Sequence, residues 1–172
     1  VGRVLYIDTN LVLNGPVLDM IMESFGIKNY SKDPSDLCSL YFEHVKDIDG
    51  IYEAVNSYCA MYTPDLIVID GLFAPLVSLV GINSPGLALV EELAVELKHL
   101  AISKNCIIIV TNATDNAQKP FLGQQYPFLW HTRLQMIALQ NNSSKCILTA
   151  SPRKQKIETF LDLRSMSVGD EQ

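Results

Sequence analysis

Polar residues follow three apolar runs of the sequence, at positions where strands of an α/β protein would end. Asp8 and Asn10 follow VLYI, Asp70 follows LIVI, and Asn112 closes CIIIVTN. Because ligands of open parallel sheets bind beyond the carboxyl ends of the strands, these side chains are the first candidates for a site. Four apolar residues before an aspartate, as in LIVID, are typical of the carboxylate that holds the Mg²⁺ of a bound nucleotide. A buried strand can also end in aspartate before a turn for purely structural reasons, and the sequence leaves both interpretations open.

A nucleotide site also needs a phosphate-binding loop, G-x-x-x-x-G-K-[ST], whose backbone N–H groups and lysine hold the phosphates. None of the nine glycines stands in this context, and no Gly-Lys dipeptide occurs. The sequence starts at Val1 rather than at methionine, so we expect residues upstream, where such a loop could lie. The chain as given is not expected to assemble an ordinary ATP-hydrolysing site.

The elements that must position these residues alternate between strand and helix. Apolar runs predict strands at VLYID, LCSLYFEHV, DLIVID and CIIIVTN, and amphipathic spacing predicts helices at Val17–Phe25, Ile48–Tyr62 and Leu87–Ser103. RLQMIAL, KCILTA and IETFLDL then read as strands without helices between them. This order predicts an α/β protein whose mainly parallel central sheet carries antiparallel C-terminal strands at its edge. One domain is expected over residues 1–163, followed by a polar tail, 164–172, that frays.

Composition narrows the classes of function. The 172 residues are 48% hydrophobic and 19% charged, which indicates a globular protein, and no apolar run is long enough for a membrane span. The net charge of -6 argues against tight DNA binding by the chain alone, because phosphate contacts drive such binding. The four cysteines are scattered, which favours buried free thiols in a reducing compartment, and the three histidines lack the spacing of a metal site.

One resemblance follows from the first strand alone. YIDTNLVL is similar to the start of PIN-domain ribonucleases, in which Asp-Thr-Asn opens a cluster of acids that binds two metal ions for RNA cleavage. That family needs further acids at later strand and helix ends. Asp70 lies too early to be the usual third acid, and Asn112 stands where an acid would be expected. The nuclease remains an alternative.

A longer set of motifs resembles another family. The order VLYIDTN, DLIVIDG, GLALVEELAVELKHLAISKNCIIIVTN and KPFLGQQYPFLWHTRL resembles the RecA-type core of the eukaryotic recombinase paralogues, most of all their D-type branch. The similarity extends from Val4 to Leu163. It implies a RecA-like ATPase core whose N-terminal strand and phosphate-loop region are absent from this chain. It also implies a role in homologous recombination and DNA repair, in the nucleus.

Departures from the family pattern imply a lost activity. Active recombinases place a glutamate that orients the attacking water where this chain has Asn10, and a glutamine that senses the γ-phosphate where it has Ala113. An amide cannot accept a proton as a carboxylate does, so general-base assistance of roughly 10²–10⁴-fold would be missing. Asp70 matches the Walker B aspartate. The resemblance thus leaves Asp70, Asp8 and Asn112 as remnants of a nucleotide and Mg²⁺ site, with ATP and Mg²⁺ bound only if an upstream loop or a partner completes it.

Basic and aromatic residues supply the candidates for contact with DNA or a partner. Aromatic side chains in the KPFLG…W segment could stack on unpaired bases, anchor a protein interface, or belong to the core. TASPRKQK resembles the segment that caps the nucleotide of a neighbouring protomer, although it is equally compatible with a solvated hairpin turn. The full set of candidates is Lys119, Phe121, Tyr126, Trp130, Arg133, Arg153, Lys154 and Lys156.

The function that the resemblance implies is that of a non-catalytic or weakly catalytic recombinase paralogue. Such a chain would pair with another paralogue, act on the recombinase filament, and contact single-stranded DNA indirectly or weakly. An ATPase with its phosphate loop upstream of Val1 and the PIN-type ribonuclease are the two alternatives.

Overall fold

The computed structural model describes residues 2–11, 13–24, 33, 39–72, 85–114, 130–139, 143–150 and 157–162. The chain divides into two compact units: Val1–Gly15 with Asn29–Tyr126, and Pro16–Lys28 with Pro127–Gln172. Each unit is described by itself, and the single domain expected over residues 1–163 stays a prediction.

The element order follows the alternation that the sequence predicts. The elements are β1 (Val4–Asp8), α1 (Gly15–Ser24), β2 (Leu40–His44), α2 (Ile48–Met61), β3 (Leu66–Asp70), α3 (Pro85–Lys104), β4 (Ile107–Val110), β5 (Arg133–Ala138), β6 (Ser143–Ala150) and β7 (Ile157–Asp162). The first four strands form one parallel sheet in the order β2-β1-β3-β4. The predicted α/β class with a mainly parallel sheet is therefore confirmed.

The core of the first unit lies where the two central strands alternate inward. Leu5 and Ile7 of β1 and Ile67 and Ile69 of β3 are each 0% exposed, because side chains two residues apart point to the same face of a strand. A side-chain cap starts α2, where the Asp47 carboxylate accepts a hydrogen bond from the Gly50 N–H at 2.8 Å. The buried strand residues form the core of this unit, and the cap fixes where α2 begins.

The sequence spacing predicts one apolar face in each crossover helix: Ile51, Ala54, Val55 and Tyr58 in α2, and Leu89, Leu93, Leu97 and Leu100 in α3. In α2 the buried residues include Ile51, Ala54, Val55 and Tyr58, the four predicted to share one face. In α3 the predicted Leu93 and Leu97 are buried together with Val90 and Ala94, whereas the predicted Leu89 and Leu100 are only half-buried. Burial of these side chains holds both helices in place, at roughly 25 cal/mol per Å² of apolar surface.

The end of α3 is fixed by backbone and side-chain contacts. Asn105 adopts the left-handed conformation (φ 52°) and the Cys106 N–H donates to the Ala101 carbonyl at 3.0 Å, which closes the last turn. Lys104 Nζ donates to the Cys59 carbonyl of α2 at 2.9 Å. Cys59 and Cys106 are buried free thiols, as predicted. Cys146 is a free thiol but is only half-buried, so the prediction of burial is wrong there. Cys38 lies outside the described residues.

The second unit contains an antiparallel sheet in the order β5-β6-β7. The sequence predicted these strands as an extension of the parallel sheet, but in the described part of the chain they form a separate sheet. The physical reason is local: strands that are consecutive and close in sequence tend to pair with one another, and β6 pairs with both neighbours, Met136↔Cys146 and Cys146↔Thr159. No helix within the described ranges has the length and apolarity needed to cross a bilayer.

Candidate functional site

The carboxyl edge of the parallel sheet brings together residues that lie far apart in sequence. In the strand register, Asp8 of β1 is opposite Asp70 of β3 on one side and opposite His44 of β2 on the other. The Thr9 N–H extends this pairing by donating to the Asp70 carbonyl at 3.0 Å. The two aspartates selected from sequence are therefore neighbours at one edge.

Asp8 organises the loop that follows its own strand. Its side chain is 1% exposed, and its Oδ1 accepts the backbone N–H groups of Asn10 and Leu11 at 2.9 and 3.0 Å. Its Oδ2 accepts the Leu13 N–H at 2.8 Å and lies 3.4 Å from His44 Nδ1. A carboxylate offers about four acceptor positions, and the three backbone N–H groups occupy three of them. Asp8 acts as a structural cap of the loop, which includes Leu11 at a positive φ of 57°.

Asp70 is held by two hydroxyl groups from other strands. Tyr6 Oη of β1 donates to Oδ2 at 2.7 Å. Thr111, directly after β4, donates to Oδ1 while its own oxygen accepts the Gly71 N–H at 2.8 Å. One carboxylate thereby links three adjacent strands. Sequence reasoning missed Tyr6 and Thr111; the signals available were the two-residue spacing of Tyr6 from Asp8 and the position of Thr111 after an apolar run.

The environment of Tyr6 keeps its phenol protonated. Burial raises the pKa of Tyr6 well above its ordinary value, and the hydrogen bond to Asp70 and the charge of that carboxylate raise it further. The ring also stacks on Phe42, with centroids 5.8 Å apart, and Phe42 meets His44 edge-on at 4.7 Å. Tyr6 is therefore a fixed hydrogen-bond donor to Asp70 throughout the physiological pH range.

The Asn10 side chain lies against the backbone of Gly71. Gly71 has a φ of +90°, and a Cβ built on it would lie 2.1 Å from Asn10 Nδ2. The Thr9 hydroxyl lies beside both carbonyls of this turn, 2.9 Å from that of Asp70 and 2.5 Å from that of Gly71. Only glycine fits here, since both its conformation and the close approach of the amide exclude a side chain. The sequence singled out Asn10, and the structure shows that it packs on the turn after β3.

Asn112 and Ala113 follow β4 at the same edge. Both polar atoms of the Asn112 amide are buried, and neither has a hydrogen-bond partner among the residues that the structure describes. An unpaired buried amide is unfavourable by about 1–3 kcal/mol. Ala113 is exposed and offers only a methyl group. Asn112 is therefore a buried amide that lacks a partner within the described residues, and Ala113 supplies no polar group.

Both carboxylates at this edge already accept hydrogen bonds from the chain itself, which leaves few positions for a Mg²⁺ ion. Protein-bound Mg²⁺ is held by one or two carboxylates together with waters and substrate phosphates. Three acceptor positions of Asp8 are occupied, and each Asp70 oxygen accepts one hydroxyl, which leaves one further position on each Asp70 oxygen. Within the described ranges, no group of three His, Cys, Asp or Glu side chains is arranged to hold a metal ion. The same geometry gives no support to a two-metal nuclease centre.

The remaining candidates divide between described and undescribed parts of the chain. Trp130 is half-buried, and Arg133 Nε donates to Thr149 Oγ1 at 2.8 Å, which ties β5 to β6. The guanidinium of Arg133 is thus already engaged within its own sheet. The candidates outside the described residues are Lys119, Phe121, Tyr126, Arg153, Lys154 and Lys156.

The fold and the site define an α/β protein with a parallel four-stranded sheet. At the carboxyl edge of that sheet, both aspartates accept hydrogen bonds from the chain itself. The chain matches no protein-family model and no curated protein sequence.

Proposed function

We propose that this chain is a non-catalytic or weakly catalytic recombinase paralogue with a RecA-like core. It acts as a subunit of a complex that assembles, stabilises or remodels recombinase filaments on single-stranded DNA during homologous recombination in the nucleus. The proposal draws on the order of the motifs VLYIDTN, DLIVIDG, CIIIVTN and KPFLG…W…TRL. The parallel order β2-β1-β3-β4 is compatible with such a core.

The observation that carries the non-catalytic part is the use already made of the two motif carboxylates. Asp70, which matches a Mg²⁺-holding aspartate, accepts the Tyr6 and Thr111 hydroxyls, and Asp8 caps its own loop. Asn10 stands where an active recombinase carries glutamate, and it packs on Gly71. An amide in that position cannot act as a general base. The proposal therefore assigns Asp8, Asn10 and Asp70 a role in stabilising the fold and no role in ATP hydrolysis.

Interfaces then do the work of the protein. With a net charge of -6, the chain suits a more basic paralogue as partner, which would carry most of the contact with DNA. Single-stranded DNA is bound weakly or through that partner. ATP and Mg²⁺ belong to the complex only where an upstream phosphate loop or the partner supplies the site.

ATP turnover by the purified full-length protein tests the non-catalytic part. We expect turnover far below that of an active recombinase, and little gain from Asn10→Glu, because Asp8 and Asp70 remain engaged with donors of the chain itself. Recombinase-like turnover by the unaided wild-type protein would overturn the proposal.

Complex formation tests the paralogue part. Co-expression with each recombinase paralogue of the same organism should give a stoichiometric heterodimer with at least one of them, measured by sedimentation. Heterodimer formation is also measured for a Val95→Asp variant and a Met136→Asp variant. Each variant places a charge at an exposed apolar position, one in each unit, so the comparison indicates which unit contacts the partner. If no paralogue forms a complex with the wild-type protein, the proposed role fails whatever the ATPase result.

An ATP-binding paralogue with its phosphate loop before Val1 is a second candidate. The unpaired amide of Asn112 favours it, because this group could hydrogen-bond to a bound nucleotide. Equilibrium dialysis of the full-length protein with ATP should then show binding that Asn112→Ala weakens about tenfold. Equal affinity of both proteins would remove the support that Asn112 gives.

A further inference from the structure

A groove of about 400 Å³ lies between α2 and α3 and shares no residue with the polar sheet edge. Its walls include Val55 of α2 and Leu93, Leu97 and Leu100 of α3. A volume of this size accommodates one or two apolar side chains of a binding segment, and mostly apolar walls are typical of binding sites.

A polar group without a partner lines this groove. The phenolic oxygen of Tyr52 is buried and has no hydrogen-bond partner in the part of the chain that the structure describes. Buried hydroxyls are normally paired, so a segment that displaces the side chains covering this oxygen would form a hydrogen bond that the free protein lacks. Burial and then the charges of Glu96, Glu92 and Asp49 raise the pKa of Tyr52 to about 12, so the group is a neutral hydroxyl.

The charges around the Tyr52 hydroxyl have one sign. Glu96 lines the groove itself, Glu92 precedes it by about one turn of α3, and Asp49 lies in the first turn of α2. All three act on Tyr52 as negative charges. His99 also lines the groove, and its side chain is exposed. The electrostatic complement of this surface is a segment that carries Lys or Arg.

Apolar surface continues beside the groove on α3. Val95 is 51% exposed and Ile102 is 77% exposed, and their spacing of seven residues places them on one side of the helix, next to His99. Exposed apolar side chains that adjoin an apolar groove extend the area that a partner can bury.

We infer that the groove between α2 and α3 is a docking site for a basic segment of a partner protein. The segment inserts an apolar side chain between Val55 and Leu100, hydrogen-bonds to Tyr52 Oη, and places Lys or Arg beside Glu92 and Glu96. This inference rests on the proposed function in one respect: it names the surface by which a chain that works through interfaces holds a basic partner.

A displayed library of random peptides, each about twelve residues long, is the probe. We expect selection on the wild-type protein to enrich peptides in which Lys or Arg flanks an aromatic or aliphatic residue. A synthetic copy of the most enriched peptide, measured by fluorescence anisotropy in about 50 mM salt, should bind the Glu92→Gln/Glu96→Gln protein about tenfold more weakly. Tyr52→Phe should weaken binding about threefold, with the thermal midpoint of each variant checked first.

Glu91→Gln is the control, since it removes a charge from the same helix at a residue that neither lines the groove nor acts on Tyr52, and it should leave affinity within about twofold. Enrichment of acidic or uncharged peptides, no enrichment, or binding indifferent to the Glu92 and Glu96 changes would overturn the inference. So would self-association of the wild-type protein that is abolished by Ser103→Trp, because the occupant would then be a second copy. Peptide binding requires neither ATP nor a recombinase paralogue, so its failure is distinguishable from failure of the proposed function.

Discussion

Tyr6 donates its phenolic hydrogen to Asp70 across 2.7 Å, between residues that are 64 positions apart in sequence. The bond joins β1 to β3 beside their last register pair, Asp8↔Asp70. Thr111 binds the other oxygen of the same carboxylate from the end of β4. Asp70, the aspartate of the LIVID run, therefore has a structural role at this edge. Substitution of the residues that bind it should change the free energy of unfolding.

Tyr6→Phe should lower the free energy of unfolding by about 1–2 kcal/mol, because it leaves an Asp70 oxygen without its donor in a partly buried place. Urea unfolding followed by fluorescence measures the change. Tyr62→Phe is the control: its ring packs on Tyr58, but the structure gives its hydroxyl no hydrogen bond among the described residues. An effect of Tyr6→Phe no larger than that of the control would contradict the strand tie.

Asp8→Ala should lower the free energy of unfolding by about 2–4 kcal/mol, since three backbone N–H groups lose a charged acceptor. Amide hydrogen exchange should accelerate at Asn10, Leu11 and Leu13. His44→Ala serves as comparison and should cost about 1 kcal/mol or less, because its side chain is 43% exposed and 3.4 Å from Asp8. Unchanged exchange at the three amides would show that Asp8 does not hold the loop.

Gly71→Ala should destabilise the protein by about 1–3 kcal/mol, because alanine is strained at φ +90° and its Cβ would collide with the Asn10 amide. Combining it with Asn10→Ala should recover part of this loss by removing the collision, while the conformational strain remains. A double-mutant cycle on unfolding free energies measures the recovery. Strict additivity would mean that Asn10 does not press on Gly71 in solution.

The stability of the protein should fall in alkali partly through Tyr52. Burial and nearby acids raise the pKa of Tyr52 from 10.0 to about 12 in the folded state, so the unfolded chain loses this proton first as pH rises. The contribution is complete below about pH 10 and is lost as pH approaches 12. Tyr52→Phe should therefore show a smaller fall in unfolding free energy between those pH values than wild type. Parallel pH profiles for the two proteins would contradict the raised pKa.

Local sequence patterns were sufficient for the elements of the fold. The predicted stripe Ile51, Ala54, Val55 and Tyr58 is the buried face of α2, because helical periodicity is set by neighbouring residues in the chain. The central strands were readable for the same reason, since a strand covered on both faces is a continuous apolar run. The sequence did not predict that β5, β6 and β7 form a separate sheet, because the apolar pattern of a strand does not specify which strand it pairs with.

The sequence by itself determined that Asp8, Asn10, Asp70 and Asn112 stand at strand ends, and that no phosphate loop lies within the chain. Only the tertiary structure decided what each side chain does there. The Asp8 carboxylate accepts hydrogen bonds from the loop that follows β1, and the Asp70 carboxylate accepts hydrogen bonds from hydroxyl groups at two other strands. The reason is physical: periodicity records which residues face inward, whereas hydrogen bonds between strands depend on register, and register exists only once the sheet has formed.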